Sequence, residues 1–383
     1  MKIDAESKTY YNCHAAKPHP VDFVWLEKNP GQLFNTDINV FERQQMLVNE
    51  RNSSCEQNCW PLEDHGGISP RIEQGGTKKT HTQVITTPEI IDFTVNSDCN
   101  LSCSYCCKEY SSSWRHDIVN NGNYFFTDYP NSRYNLDSRD KILMQISQNE
   151  IKNTKHYQIL LDELYAIAPG LKQLVITGGE PFLDNKLIDT LKGLPLNNDA
   201  VIQVYTGLGV EYKRFERILQ NLQKLNLKNL SIVVSGENTG KFLEFNRYGN
   251  KYDDFIKKVN LLKSSKINLM FQSTITNLTI HDFHNFYEKF KDYKFLVSFS
   301  YEPFIMAPYV LDPDSKLQIK HNSKDLPEYY QKMILDSIVA EPTNQQRINA
   351  ADFLKEFVRR RPDLSLSIYP ESFLSWLGLN NVV

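Results

Sequence analysis

The sequence predicts an α/β fold built on a parallel β-sheet, with an irregular N-terminal metal-binding extension and a C-terminal helical segment. Two observations carry this expectation. Strands of four to eight residues alternate with helical stretches six times between residues 89 and 301, and that alternation means βα units with parallel strands. Apolar residues make up 40% of the 383-residue chain and charged residues 23%, a globular composition that excludes collagen-like or wholly disordered chains. Six units, each long enough for a right-handed crossover, fit an open or partial (β/α)6 barrel of the TIM type. A doubly wound sheet satisfies the same pattern. In both, ligands sit at the C-terminal ends of the strands.

The elements follow in order. Residues 1–80 show weak periodicity and many turn formers, among them Asn29-Pro30-Gly31 and Gly75-Gly76. Only 39–50 reads as helix there. A stretch this irregular buries little apolar surface, so a bound metal would help it fold. Ile90-Ile91-Asp92-Phe93-Thr94-Val95 is rich in β-branched and aromatic residues and reads as the first strand. A polar, aromatic insertion occupies 107–138. Residues 139–168 look helical, with Ile159, Leu160, Leu164 and Ile167 on one face. Further strands are expected at 174–177, 201–205, 230–234, 267–274 and 295–300. Helices are expected near 184–193, 211–224, 251–264 and 281–291. The tail reads as helices at 327–338 and 347–360, then a short one at 374–377. The expected regions are therefore 1–85, 86–310 with its insertion, and 311–383.

The seven cysteines are Cys13, Cys55, Cys59, Cys99, Cys103, Cys106 and Cys107, all within the first 107 residues. Packing alone would scatter them more evenly, since free cysteine behaves as a small buried hydrophobe. An odd count without an export-like leader argues against a disulfide scaffold and predicts a reducing, cytoplasmic setting. No apolar run approaches the roughly 18 residues a membrane span needs. A net charge of −3 gives no case for a general nucleic-acid contact.

Cys99, Cys103 and Cys106 have the spacing C-x3-C-x2-C, immediately after the first strand. Three thiolates this close can hold three irons of a [4Fe–4S] cluster and leave the fourth open. Zinc is the competing metal, but structural zinc normally takes four ligands. After the second strand comes Thr177-Gly178-Gly179-Glu180-Pro181. Glycines there let the backbone approach a ligand closely, and Glu180 is a carboxylate placed to meet an ammonium.

These two motifs together resemble the signature of the radical S-adenosylmethionine (AdoMet) superfamily, with Tyr105 as its aromatic residue before the last cysteine. The resemblance covers about residues 89–301 and implies a partial (β/α)6 barrel. It implies that the open iron binds AdoMet and that Tyr105, Gly178, Gly179 and Glu180 line that cofactor. Ser235 and Arg247, twelve residues apart after the fourth strand, are similar to the superfamily's ribose and carboxylate contacts. Glu237 stands near where that pattern usually has Asp. Gln272 and Asn277 are weaker candidates at the fifth strand's end.

Cys55-x3-Cys59, with Cys13, Ser111-Ser112-Ser113-Trp114 and Tyr369-Pro370-Glu371, resembles the branch with a twitch-type auxiliary domain. Cys13, Cys55 and Cys59 would then hold a second iron–sulfur cluster. Zinc completed by His14 or His65, or no metal at all, are the alternatives. A fourth ligand is not evident; His14, Cys107 or substrate could supply it. Cys107 otherwise reads as a spare thiol. The aromatic insertion either walls a substrate pocket or packs as plain cover.

The resemblance implies cleavage of AdoMet to a 5′-deoxyadenosyl radical that abstracts hydrogen from substrate. A peptide or protein substrate is the first expectation, with an electron donor such as flavodoxin or ferredoxin. A small metabolite or nucleoside substrate is the alternative. From a different class, a non-catalytic iron–sulfur or zinc protein would bind metal without cleaving AdoMet. A nucleic-acid-modifying member is a third expectation, with Lys/Arg clusters such as Arg359-Arg360-Arg361 as local contacts.

Overall fold

The computed structural model describes residues 1–13, 16–48, 50–56, 59–64, 69–73, 86–126, 133–135, 154–301 and 303–380. The architecture is mixed α/β on one large sheet. Six parallel neighbours form its body: β4 (Ile90–Thr94), β6 (Gln173–Thr177), β7 (Val201–Thr206), β8 (Leu230–Ser235), β10 (Asn268–Ile275) and β11 (Lys294–Phe299). They lie in chain order without reversal. A doubly wound sheet requires a reversal among its parallel strands, and these six show none. Among the described residues, no helix is long and apolar enough to cross a membrane.

Alternation along each strand creates two unlike faces. Ile91, Phe93, Ile176, Val204, Ile232, Val234 and Phe271 point one way and are buried to 2% exposure or less. They join one core with Leu160 and Leu164 of the Lys155–Ile167 helix, Phe215 of Tyr212–Lys224, Phe255 of Tyr252–Ser264 and Phe286 of Phe283–Phe290. Phe271 packs at 4.6 Å from Phe290 and 5.4 Å from Phe286. Each such fully buried ring contributes about 1.5–3 kcal/mol of burial. The opposite face is more polar, carrying half-buried Asp92, Thr177, Gln203, Tyr205, Ser235 and Gln272 beside Val175, Val233 and Met270. Side-chain rungs cross it: Thr94 to Thr177 at 2.8 Å, Gln173 to Gln203 at 2.9 Å and Gln272 to Ser298 at 3.0 Å.

The N-terminal segment does more than the sequence predicts. β1 (Lys2–Asp4) pairs in parallel with β4, and β2 (Thr9–Tyr11) and β3 (His19–Pro20) extend the sheet antiparallel to a total of nine strands. Strands of two or three residues are too short to display a period; pairing with β4 specifies them. The Glu163 carboxylate ties down the next turn, accepting from the backbone N–H groups of Gly31 and Leu33. Burial raises its pKa to about 7, partly offset by those bonds.

The predicted helices appear within a few residues of expectation. The 39–50 helix is Asp37–Leu47, and the described part of the 139–168 helix is Lys155–Ile167; residues 136–153 lie outside the described set. The tail contains Glu328–Ser337, Asn344–Arg359 and Glu371–Leu377. It also contains an unexpected helix, Pro313–Asn322, begun by the Asp312 side chain accepting from Asp314 and Ser315 N–H. That is a local N-cap with proline at the first turn.

Within the insertion, Ser112–Asn121 is helical. Its aromatics are largely cover. Trp114, Tyr124 and Tyr134 are buried and pack on Phe353 of the Asn344–Arg359 helix, at 6.5, 5.6 and 5.3 Å between centroids. Two of the three arginines in the basic run belong to the same lock. Arg360 pairs with Asp117 at 3.2 Å and stacks 3.9 Å from the Tyr124 ring. Arg361 lies over Phe357 at 3.9 Å and is 2% exposed. Only Arg359 projects outward, paired with Glu356.

Breaking one partner of a buried ion pair leaves an uncompensated charge. Here Asp117 would keep the more distant cation Arg361, at 3.6 Å, so Arg360→Ala should lose about 1.5–3 kcal/mol in urea unfolding, while Arg359→Ala leaves the midpoint in place. Equal effects would show that Arg360 is not locked.

Candidate functional site

The site is built where β4 and β6 end. The chain leaves Thr94 and runs through Asn96 and Asp98 beside the turn that follows Thr177. Gly179 N–H donates to the Asn96 carbonyl at 2.9 Å, and Glu180 N–H donates to the Asp98 carbonyl. Gly178 has φ +131°. A Cβ at Gly178 would overlap the Asn96 carbonyl, and one at Gly179 the Asp98 carbonyl. The sequence pattern predicts that these glycines approach a ligand. The structure gives them a prior duty: two loops touch backbone to backbone, which only glycine permits.

Side-chain hydrogen bonds and one strand pairing further hold the cysteine loop. Ser112 Oγ and Ser113 Oγ donate to the Cys99 carbonyl at 3.1 and 2.7 Å, and Ser111 Oγ donates to the Leu101 carbonyl at 2.8 Å. Trp114 Nε1 donates to the Cys103 carbonyl at 2.9 Å. These are the residues of the Ser-Ser-Ser-Trp motif. Finally, β5 (Ser102–Cys103) pairs antiparallel with β9 (Arg247–Tyr248), placing Cys103 opposite Arg247.

The three thiols feel one another. Burial pushes Cys99 up, with the neighbouring Cys103 and Glu180 adding to it. Burial raises Cys103 to about 11, opposed by the Arg247 guanidinium. Cys106 is held well above its ordinary value by a hydrogen bond with Cys107, then by burial and the other two thiols. Among the described residues, no three or more His, Cys, Asp or Glu side chains are grouped as ligands of a metal ion. As a donor set they nonetheless suit a cationic cluster. Thiolates in a desolvated, mutually repelling group need positive charge. Leu101 N–H already reaches Cys99 Sγ at 3.4 Å, and Arg247 Nη1 reaches Cys103 Sγ at 3.9 Å.

Glu180 is 2% exposed and held by several hydrogen bonds. It accepts from Thr206 Oγ1 at 2.8 Å, Gly207 N–H at 2.9 Å and Phe182 N–H at 3.1 Å. Burial raises its pKa despite these bonds. Arg247 gives its fork to Glu237, with Nε to Oε1 at 3.1 Å and Nη2 to Oε2 at 2.8 Å. Tyr105 donates its hydroxyl to the same Oε1 at 3.0 Å. A Cβ on Gly207 would lie 3.6 Å from Arg247 Nη1 and 3.7 Å from Glu180 Oε2, so both side chains border one small volume beside that glycine. Ser235 is half-buried at the end of β8, in register with Gln272 on the polar face. Asn277 turns away, donating Nδ2 to the Ile305 carbonyl at 3.0 Å.

Asn246 was missed in sequence. Its side chain accepts from Ser104 Oγ at 2.9 Å and Tyr369 OH at 3.4 Å, and donates to Asn238 at 3.1 Å. It thereby links cysteine loop, tail and the segment bearing Glu237. Its position just before Arg247 was the only available signal.

Two cysteines of the second group, Cys55 and Cys59, come together, with Cys13 acting on Cys55 through its charge. Cys55 and Cys59 are buried with Trp60 in a small separate cluster. Cys55 is pushed up to about 12 by burial, then by Cys59 and Cys13. Arg71 stacks 4.4 Å from the Trp60 ring and faces both Cys55 and Cys59. The candidate ligands His14 and His65 lie outside the described residues. Cys107 is buried beside Cys106, near Arg133 and Tyr134, so the structure groups it with the first set. No family model matches the chain, and no curated protein matches its sequence.

Gly179→Ala must push the two loops apart. Its urea midpoint should fall by an equivalent of about 1–3 kcal/mol, as for an overpacked core site. A midpoint unchanged from wild type would mean the loops are not clamped there.

Proposed function

We propose that this chain is a radical AdoMet enzyme. One observation carries the reading: a Cys-x3-Cys-x2-Cys loop leaves the end of one parallel strand clamped to the Gly-Gly-Glu turn at the end of its neighbour. The sequential strand order, helical cover on one face and polar opposite face support a partial (β/α)6 barrel with that polar face inward.

Cys99, Cys103 and Cys106 would hold three irons of a [4Fe–4S] cluster. Bound there with AdoMet, the cluster supplies the electron that cleaves the sulfonium to a 5′-deoxyadenosyl radical. The chain's own residues do the rest. Glu180 keeps a carboxylate pre-oriented by Thr206 and Gly207 at the strand ends, where an ammonium would be met. Gly178 and Gly179 keep that turn against the cysteine loop. Tyr105 places a ring beside the cluster loop, fixed through its hydroxyl to Glu237. Ser235 stands on the polar face for a ribose hydroxyl. Asp92, Thr177, Tyr205 and Gln272 on the same face would hydrogen-bond a polar substrate, in our reading a peptide or protein segment. Cys13, Cys55 and Cys59 would hold a second cluster. The reading places the protein in a reducing cytoplasm, supplied by a flavodoxin- or ferredoxin-type donor.

Anaerobic reconstitution with iron and sulfide, then dithionite and AdoMet, tests this. 5′-Deoxyadenosine should appear on chromatography. Iron-loaded protein that releases none would leave only a non-catalytic metal protein. Cys103→Ala should lose all cleavage; retained turnover would refute the cluster assignment. For the second site, Cys55→Ala/Cys59→Ala should bind about half the iron of wild type, as loss of one of two clusters demands. Unchanged iron content would remove the second cluster.

A further inference from the structure

We propose that Arg247 serves the Cys103 sulfur, positioned there by Glu237, and does not bind the AdoMet carboxylate. The inference rests on the cluster reading above for its consequence, but its geometry stands independently.

A guanidinium recognises a carboxylate through two parallel N–H donors. In Arg247 a bidentate face is already filled by Glu237, through Nε at 3.1 Å and Nη2 at 2.8 Å. Both partners are buried, Glu237 to 0% and Arg247 to 4% exposure. A ligand carboxylate would have to displace Glu237, leaving it buried and stripped of its cation, which is strongly unfavourable, or take the Nη1 edge, which already faces Cys103 Sγ at 3.9 Å. Tyr105 also donates to Glu237 and lies with its ring centroid 5.6 Å from the guanidinium, bracing the pair from a second side.

The remaining nitrogen has a different target. Arg247 Nη1 stands 3.9 Å from Cys103 Sγ. This approach is set by backbone pairing, because β5 and β9 put Cys103 and Arg247 directly opposite each other. Directly paired residues share a face of the ladder. Hydrogen bonds and charge at the ligand sulfurs are among the levers that set an iron–sulfur cluster's reduction potential. A cation at Cys103 favours the added electron and so moves the potential upward.

Glu237 is thus a positioning residue, and the two partners should act with opposite sign. Reconstituted protein without AdoMet is titrated electrochemically, with the reduced cluster followed by electron paramagnetic resonance. Arg247→Gln removes the cation and leaves Glu237 behind, so its midpoint should fall. Glu237→Gln leaves the cation uncompensated, so its midpoint should rise. Arg247→Lys keeps a charge near the sulfur and should recover part of the drop. AdoMet binding to the oxidised cluster, measured calorimetrically, should stay within about threefold of wild type in Arg247→Gln, well short of a lost ion pair.

An unmoved midpoint in Arg247→Gln overturns the proposal. So does an AdoMet affinity weakened by about tenfold or more, whichever way the midpoint moves, because that assigns Arg247 to the ligand. If Arg247→Gln does not fold, the signs of Glu237→Gln and Arg247→Lys decide: a Glu237→Gln midpoint that fails to rise, or an Arg247→Lys midpoint above wild type, overturns it. Wild type that takes up no cluster overturns this proposal and the function reading together. Loaded wild type that cleaves AdoMet with unshifted variants overturns this one alone.

Discussion

The contact between the Asn96–Asp98 backbone and the Gly178–Glu180 turn is what the rest of the site depends on. Two strand ends that lie side by side would ordinarily be held apart by the side chains of their loops. Here the loops close to hydrogen-bonding distance because Gly178 and Gly179 have no Cβ to obstruct them. Cys99 begins directly after the clamped segment, and Glu180 is the last residue of the clamp. One backbone contact therefore sets the spacing between the thiol group and the carboxylate.

Around that contact the protein spends its buried charge on orientation. Glu180 is satisfied by the end of β7, Arg247 by Glu237, and Tyr105 by the same carboxylate. Ion pairs this buried contribute little net stability compared with apolar packing, because desolvation offsets most of the attraction. Their value lies in allowing one arrangement. The same logic holds farther out, where Arg360 and Arg361 fasten the tail helix to Asp117 and the aromatic insertion. The insertion's Ser-Ser-Ser-Trp start grips the cysteine loop, so the C-terminal helices support the site at one remove.

Several features were legible in sequence for local reasons. β4, β6, β7, β8, β10 and β11 are runs of β-branched and apolar residues bounded by turns, and periodicity within a few residues identifies them. Cys99, Cys103, Cys106 and Glu180 are read from spacing after a strand. The short strands β1 to β3 were not legible, since two or three residues carry no period. Arg247 looked like a free carboxylate receptor because its partner Glu237 was only an off-pattern residue in the chain. The basic run at 359–361 read as a nucleic-acid contact because burial is invisible to composition. Cys13 could be grouped with Cys55 only by count; the folded chain brings its charge to bear on that thiol.

By itself, the sequence determined the six strand–helix units, their parallel direction, and the thiols and carboxylate at their ends. Those follow from periodicity, crossover length and spacing, which are properties of contiguous chain. Only the tertiary structure decided which charges are buried and with whom. Glu237 claims Arg247, Asp117 claims Arg360, and Arg247's spare nitrogen faces Cys103. Pairing and desolvation depend on segments brought together from far apart, and no local pattern encodes them.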